Sequence, residues 1–185
     1  MNSANTRNTD KPRLRGVFVV TVFLVFFLAS GTVRAADESP APSAGFGNVG
    51  STAGIGHAST LGGGPSGWGY HMGGRFQLNA GPTQSYGIEA SYVVPVANGS
   101  AGRYLALGIV LEQTVWQWAY MAIGTVGYIG VDGTRGDPFG VVTDLGVGHL
   151  FAGRFRPSLT YRSEFVFAPK IITIDSLSLG LDVVF

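Results

Sequence analysis

The chain has 185 residues, enough for one domain, with 12 basic and 11 acidic side chains, a formal net charge of +1 and no cysteine. That balance gives no electrostatic footprint for nucleic acid, and the missing cysteines exclude a disulfide framework. Charged residues make up 12% of the chain, about half the usual share, while glycine is abundant at 29 residues, a composition too oily for a soluble sandwich of this size.

Arg7, Lys11, Arg13 and Arg15 precede a continuous apolar run from Val17 to Ala29, and Val33-Arg34-Ala35 supplies a small-residue exit. This order predicts a secretory signal peptide over residues 1–35, because the run is short of the roughly 20 residues a spanning helix needs. An uncleaved anchor is the alternative reading of the same segment. Cleavage would remove five of the 12 basic residues and one of the 11 acidic ones, and leave a mildly acidic chain. Residues 36–46 hold acid, Pro, Ser and Ala without periodicity and read as a flexible lead-in.

From residue 47 to 185 strands and turns alternate at close spacing. Eight strands are predicted, at 47–58, 67–80, 85–96, 103–113, 117–130, 138–151, 155–167 and 173–185. The breaker clusters Gly62-Gly63-Gly64-Pro65, Gly81-Pro82, Asn98-Gly99, Asp132-Gly133 with Gly136-Asp137-Pro138, and Ala168-Pro169 mark most of the turns. Two joins carry little signal, near Gln113 to Gln117 and near Ala152 to Arg154, and the first strand is glycine-rich and almost featureless.

The faces decide the class. In the second strand Trp68, Tyr70, Met72, Phe76 and Leu78 alternate with His71, Arg75, Gln77 and Asn79. In the fourth, Leu105, Leu107, Ile109 and Leu111 oppose Ala106, Gly108, Val110 and Glu112. In the seventh, Leu159, Tyr161, Phe165 and Phe167 oppose Arg156, Ser158, Arg162 and Glu164. Large apolar groups share one side, and small or ionisable groups share the other. Only the fifth strand is apolar on both faces. A soluble ligand-binding barrel requires the reverse, whereas a closed antiparallel sheet with its oily face outward satisfies every backbone group inside a bilayer. The pattern therefore predicts an all-β chain, an eight-stranded antiparallel up-and-down transmembrane β-barrel. Trp68, Tyr92, Tyr128, Phe165 and Phe167 are expected in one interfacial girdle, and Tyr86, Trp116, Trp118, Phe151, Phe155 and Phe185 in the other.

The last strand ends in SLSLGLDVVF, with Leu177, Leu179, Leu181, Val183 and Phe185 on one face. The spacing of Ser178, Gly180, Val183 and Phe185 resembles the C-terminal assembly signal of Gram-negative outer-membrane β-barrels, and the whole plan is similar to the OmpA membrane domain, OmpX and OmpW-like barrels. The resemblance implies an outer-membrane location with both termini periplasmic. It implies contact with the barrel-assembly machinery during biogenesis, outer-membrane lipid around the belt, and a monomer.

Eight strands enclose an interior just wide enough for side chains to fill. Charges there need partners, so Arg75 and Arg162 are expected against Glu89, Asp144 and Glu164, an interior charge network that plugs the barrel. The expected role is structural or surface-interactive. The alternative is a narrow channel for small or apolar solutes, as in OmpW-like barrels, with Val93, Val110, Met121, Ile123 and Val142 as an apolar lining. A lipid A-modifying enzyme is the third reading. Lipid A deacylases of the PagL kind use a His, a Ser two residues on, and a Glu. Here His149 is followed by Phe151 at the Ser position, so no attacking hydroxyl is present, and no catalytic residue, cofactor or metal is expected. His57, His71 and His149 have no ligand spacing, and Gly45-Phe46-Gly47-Asn48-Val49-Gly50 lacks the strand and helix that would make it a dinucleotide loop.

Overall fold

A computed structural model describes residues 46–64, 66–97, 100–131, 138–168 and 171–185. The segments read as signal peptide and most of the lead-in lie outside the described residues, as do the Asn98-Gly99 and Asp132–Asp137 turn signals.

Among the described residues nine strands form in order: β1 Gly47–Thr60, β2 Ser66–Asn79, β3 Gln84–Ala97, β4 Ser100–Ala101, β5 Arg103–Trp116, β6 Ala119–Val131, β7 Phe139–Gly148, β8 Phe155–Phe167 and β9 Ile171–Val184. β4 is a two-residue return that pairs only with the end of β3. The other eight form one ring, each antiparallel to its sequence neighbour, with β1 against β9 completing the circle. Phe185 N–H donates to Gly47 O at 3.0 Å, so both ends of the barrel chain meet at one rim, called here the terminal rim, and the opposite rim is the loop rim. No edge is left open among the eight, which is how a sheet satisfies its backbone without solvent.

The alternation holds through the ring. Trp68, Tyr70, Met72 and Phe76 of β2, Leu105, Leu107, Ile109 and Leu111 of β5, and Leu177, Leu179 and Leu181 of β9 are exposed on the outer face, while Gln77, Glu89, Glu112, Asp144, Arg162 and Glu164 are buried inside. At the terminal rim Tyr86, Trp116, Trp118, Phe151, Phe155 and Phe185 are all exposed, and Phe185 stacks on Phe76 with ring centres 6.2 Å apart.

β6 corrects part of the sequence reading. Being apolar on both faces it carries no phase of its own. The phase comes from β5, where Val110 pairs with Gly124 and Glu112 with Ala122, so the even-numbered residues of β6 point inward. Tyr128 is therefore an interior residue, 3% exposed, and not part of the outer girdle. Met121 and Ile123 take the outward parity beside Leu145 and Leu111, so neither can line a lumen.

β1 explains its glycines. A Cβ at Gly54 would lie 2.5 Å from Ser178 Oγ and 2.8 Å from the His71 ring, and a Cβ at Gly50 would overlap the Asp182 carboxylate. At these inward positions the strand carries glycine because neighbouring polar groups occupy the volume a side chain would take. At the poorly signalled β7–β8 join, the turn uses left-handed backbone at Ala152 (φ 49°) and Gly153 (φ 67°).

Candidate functional site: the barrel interior

The interior is divided by height. Nearest the loop rim, Val93, Ala106, Val126, Tyr128 and Val166 form an apolar cluster, with Tyr104, Ile172 and Ile174 packed against it. Below it, towards the terminal rim, the lumen is filled by three arginines and five carboxylates held on different strands.

The network can be followed from the terminal rim upward. Arg156 of β8 lies between Asp182 of β9, at 2.8 Å, and Glu112 of β5, at 3.1 Å, with its guanidinium carbon 5.1 Å from the centre of the Tyr120 ring. Glu112 also accepts from Gln77 Nε2 at 3.3 Å and lies 3.6 Å from Arg75 Nη1. Arg75 of β2 donates to Glu89 of β3 at 2.9 Å and to Asp144 of β7 at 2.6 Å. Arg162 of β8 then reaches Glu89 with both terminal nitrogens, through Nη1 at 3.0 Å and through a shorter Nη2 bond, while its Nε donates to Glu164 at 2.6 Å. Tyr128 of β6 closes the top of the network by donating to Glu164 Oε2. All five residues named from the sequence, Arg75, Glu89, Asp144, Arg162 and Glu164, thus sit in one contiguous cluster. Arg156, Glu112 and Asp182 extend it, and Tyr128, hidden by the ambiguous phase of β6, caps it.

Every one of these carboxylates has a guanidinium within 4 Å. A buried ion needs that compensation, because desolvation costs several kcal/mol per charge. The ion pairs join six of the eight ring strands across the lumen, and the Tyr128 hydroxyl on Glu164 brings in β6 as a seventh. They therefore resist slippage of one strand against the next, since a one-residue slip would turn the charges out towards the oily face.

Asp144 Oδ1 and Gln77 Oε1 are buried acceptors with no donor among the described residues, and both residues border an interior cavity of about 40 Å³. That volume suits one or two water molecules, and it is far below the several hundred Å³ of a small-molecule site. His71 and Ser178 also border it, with His71 Nε2 2.9 Å from Ser178 Oγ. A serine paired with a histidine has the atoms of a nucleophile and its base, yet here the pair faces a space with no room for an acyl substrate. His149 lies outside the barrel against Phe151, ring centres 5.0 Å apart, whereas Glu164 is interior, so the two do not meet. Among the described residues no His, Asp and Glu group has metal-binding geometry. Of the C-terminal motif, Ser178 and Gly180 share the inward face, and Val183 and Phe185 the outward one.

No protein-family model matches the chain, and no curated protein matches it by sequence. The fold is similar to solved structures. Neisserial surface protein A (NspA) aligns over 75% of this chain and 97% of its own, with 14% identity and a TM-score of 0.55. The outer membrane protein OprG from Pseudomonas aeruginosa aligns over 78% of this chain and 98% of its own, with 11% identity and a TM-score of 0.52. The chain has the fold of the small outer-membrane β-barrels.

Proposed function

We propose that the protein is an integral outer-membrane barrel with a structural or surface-interaction role, held rigid by its charged interior and closed to bulk solute. The observation that carries this reading is the inversion of polarity. Leu, Ile, Trp and Phe face outward around the ring, and the paired arginines and carboxylates face inward. Lipid is the medium that stabilises such an outer face, and its depth is bounded at the terminal rim by a ring of Trp, Tyr and Phe. In this reading the terminal rim faces the periplasm, the chain is a monomer, and Ser178, Gly180, Val183 and Phe185 are read by the barrel-assembly machinery during insertion.

The test is ion conductance of the purified protein in a planar bilayer, with an Arg162→Ala variant beside it. The wild type is expected to be silent, with folding confirmed by heat-modifiable migration in a gel. Steady discrete openings of the wild type would overturn the closed interior.

A second reading, a narrow conduit for small apolar solutes, is favoured by one observation, the apolar cluster of Val93, Ala106, Val126 and Val166 at the loop rim. A solute taking that route would next meet the Arg162–Glu164 pair, so any such path must leave the lumen sideways or rearrange the network. The enzyme reading finds no substrate-sized space beside His71 and Ser178.

A further inference from the structure

The lumen does not balance its own charge. Among the described residues three guanidiniums, of Arg75, Arg156 and Arg162, face five carboxylates, of Glu89, Glu112, Asp144, Glu164 and Asp182. Two negative charges are left over, and a protonated His71 would offset only one of them. Excess charge enclosed by a membrane-spanning sheet is costly, so the interior calls for a counterion.

One place among the acids is open to it. Glu89, Glu112 and Glu164 each commit both carboxylate oxygens to donors. Asp144 commits only Oδ2, which accepts from Arg75 at 2.6 Å, and its Oδ1 is buried with no donor among the described residues. Gln77 is fully buried as well, and its Nε2 donates to Glu112 at 3.3 Å, which fixes the amide the way round that leaves Oε1 without a donor. Reversing the amide would set its oxygen against the carboxylate. Both residues border the cavity of about 40 Å³, and so do Thr52, Thr160 and Ser178, which carry hydroxyl oxygens. Gln77 and Asp144 lie on β2 and β7, so only closure of the ring brings them to one space.

The cavity is reached from the terminal rim. The side chains of Arg156 and Asp182 near that rim are 18% and 15% exposed, whereas that of Asp144 is 1% exposed and Tyr128, in the apolar cluster above, is 3% exposed. The loop-rim end is dry.

We propose that this cavity holds one alkali-metal cation, bound to Asp144 Oδ1 and Gln77 Oε1 and admitted from the terminal rim. The ligand chemistry selects the class. One free carboxylate oxygen with amide and hydroxyl oxygens replaces the hydration shell of a singly charged ion, whereas calcium and magnesium draw on several carboxylates. No group of three His, Asp or Glu side chains converges among the described residues to hold a divalent ion. The volume leaves room for the ion and a water, and it excludes a bulky organic cation such as N-methyl-D-glucamine. The stability of the barrel then depends on which cation surrounds it.

The test is urea unfolding of the protein expressed from the full chain, in phosphatidylcholine vesicles, with sodium chloride exchanged for N-methyl-D-glucamine chloride at fixed ionic strength. For a single site the unfolding constant falls tenfold for each tenfold rise in sodium above the dissociation constant, and the organic cation has no such effect. Asp144→Asn is expected to abolish the sodium dependence. Gln77→Met, which keeps the side-chain length and leaves Glu112 with Arg156 and Arg75, is expected to raise the sodium concentration needed at least tenfold. Equal stability in the two salts, an unchanged sodium dependence in either variant, or stability that follows pH and not sodium would overturn the proposal. So would stabilisation by magnesium at a hundredth of the sodium concentration. Should a variant fail to fold, anomalous diffraction from wild-type crystals grown in rubidium chloride decides: a rubidium peak beside Asp144 supports the site, and a water molecule there overturns it.

Discussion

Arg162 on β8 is the direct cross-strand partner of Asp144 on β7, yet its guanidinium keeps only a 3.7 Å ion pair with Asp144 and reaches across the lumen to grip Glu89 on β3, with Nη1 3.0 Å from Oε2. The nearer carboxylate is already engaged by Arg75 at 2.6 Å, so the longer reach serves two acids with two arginines and ties opposite walls of the ring together.

Removing Arg162 leaves Glu89 short of one partner and Glu164 with no arginine. Arg162→Ala is expected to destabilise the barrel by about 3–5 kcal/mol, read from urea unfolding in lipid vesicles. Combining Arg162→Met with Glu89→Gln and Glu164→Gln should cost less than the sum of the single changes, because the stranded charges leave with their partner. Additive losses would show that the pairs do not act as a unit.

Tyr128→Phe removes the hydroxyl donor to Glu164 while keeping the ring in the apolar cluster. The expected cost is about 1–2 kcal/mol in the same unfolding measurement, less than for Arg162→Ala, since Glu164 retains its arginine. A neutral result would place Tyr128 in the barrel as packing alone.

Glycines on the two faces are expected to behave oppositely. A Cβ at inward Gly87 would overlap the Phe76 carbonyl oxygen, which is backbone and cannot swing aside. Gly87→Ala is therefore expected to cost about 1–3 kcal/mol. At outward Gly127 the nearest atom is Leu107 O at 3.9 Å, so Gly127→Ala should fall within about 0.5 kcal/mol of wild type. Equal effects at both sites would contradict the assignment of faces.

Phe185→Ala removes the stack on Phe76, worth about 0.5–1.5 kcal/mol once folded. Should Phe185 also be part of an assembly signal, the amount of barrel reaching the membrane in cells falls by much more than that loss of stability explains. Comparing cellular yield with refolding in vesicles separates the two roles.

Much of this was legible in the chain. Period-two alternation and the breaker clusters gave the strands of the ring, because a strand with one oily and one polar face announces both its existence and its phase. β6 shows where this fails: with Met121, Ile123, Val126 and Tyr128 all apolar or aromatic, only the pairing with β5 decides which of them turn inward. Which arginine meets which acid was beyond reach for another reason. Arg162 and Glu89 are 73 residues apart and meet across a closed ring, so their contact depends on closure and rotamer and not on any local pattern. Asp175, a carboxylate exposed on the outer face, was by contrast readable in principle. Continuing the Leu179, Leu177 alternation back by one step lands on an acid at an outward position.

The central claim is that the apolar face of the ring is turned to lipid. The absence of native cysteine makes single-site spin labelling direct, so the measurement is paramagnetic-relaxation accessibility of nitroxides placed one at a time at Leu177, Leu179 and Leu181 in vesicles. All three are expected to be open to dissolved oxygen and shielded from a water-soluble nickel chelate, with shielding that deepens from Leu177 to Leu179. Ready collision with the nickel chelate and poor access to oxygen at these sites would mean the face is wet, and the inside-out barrel described here would be wrong.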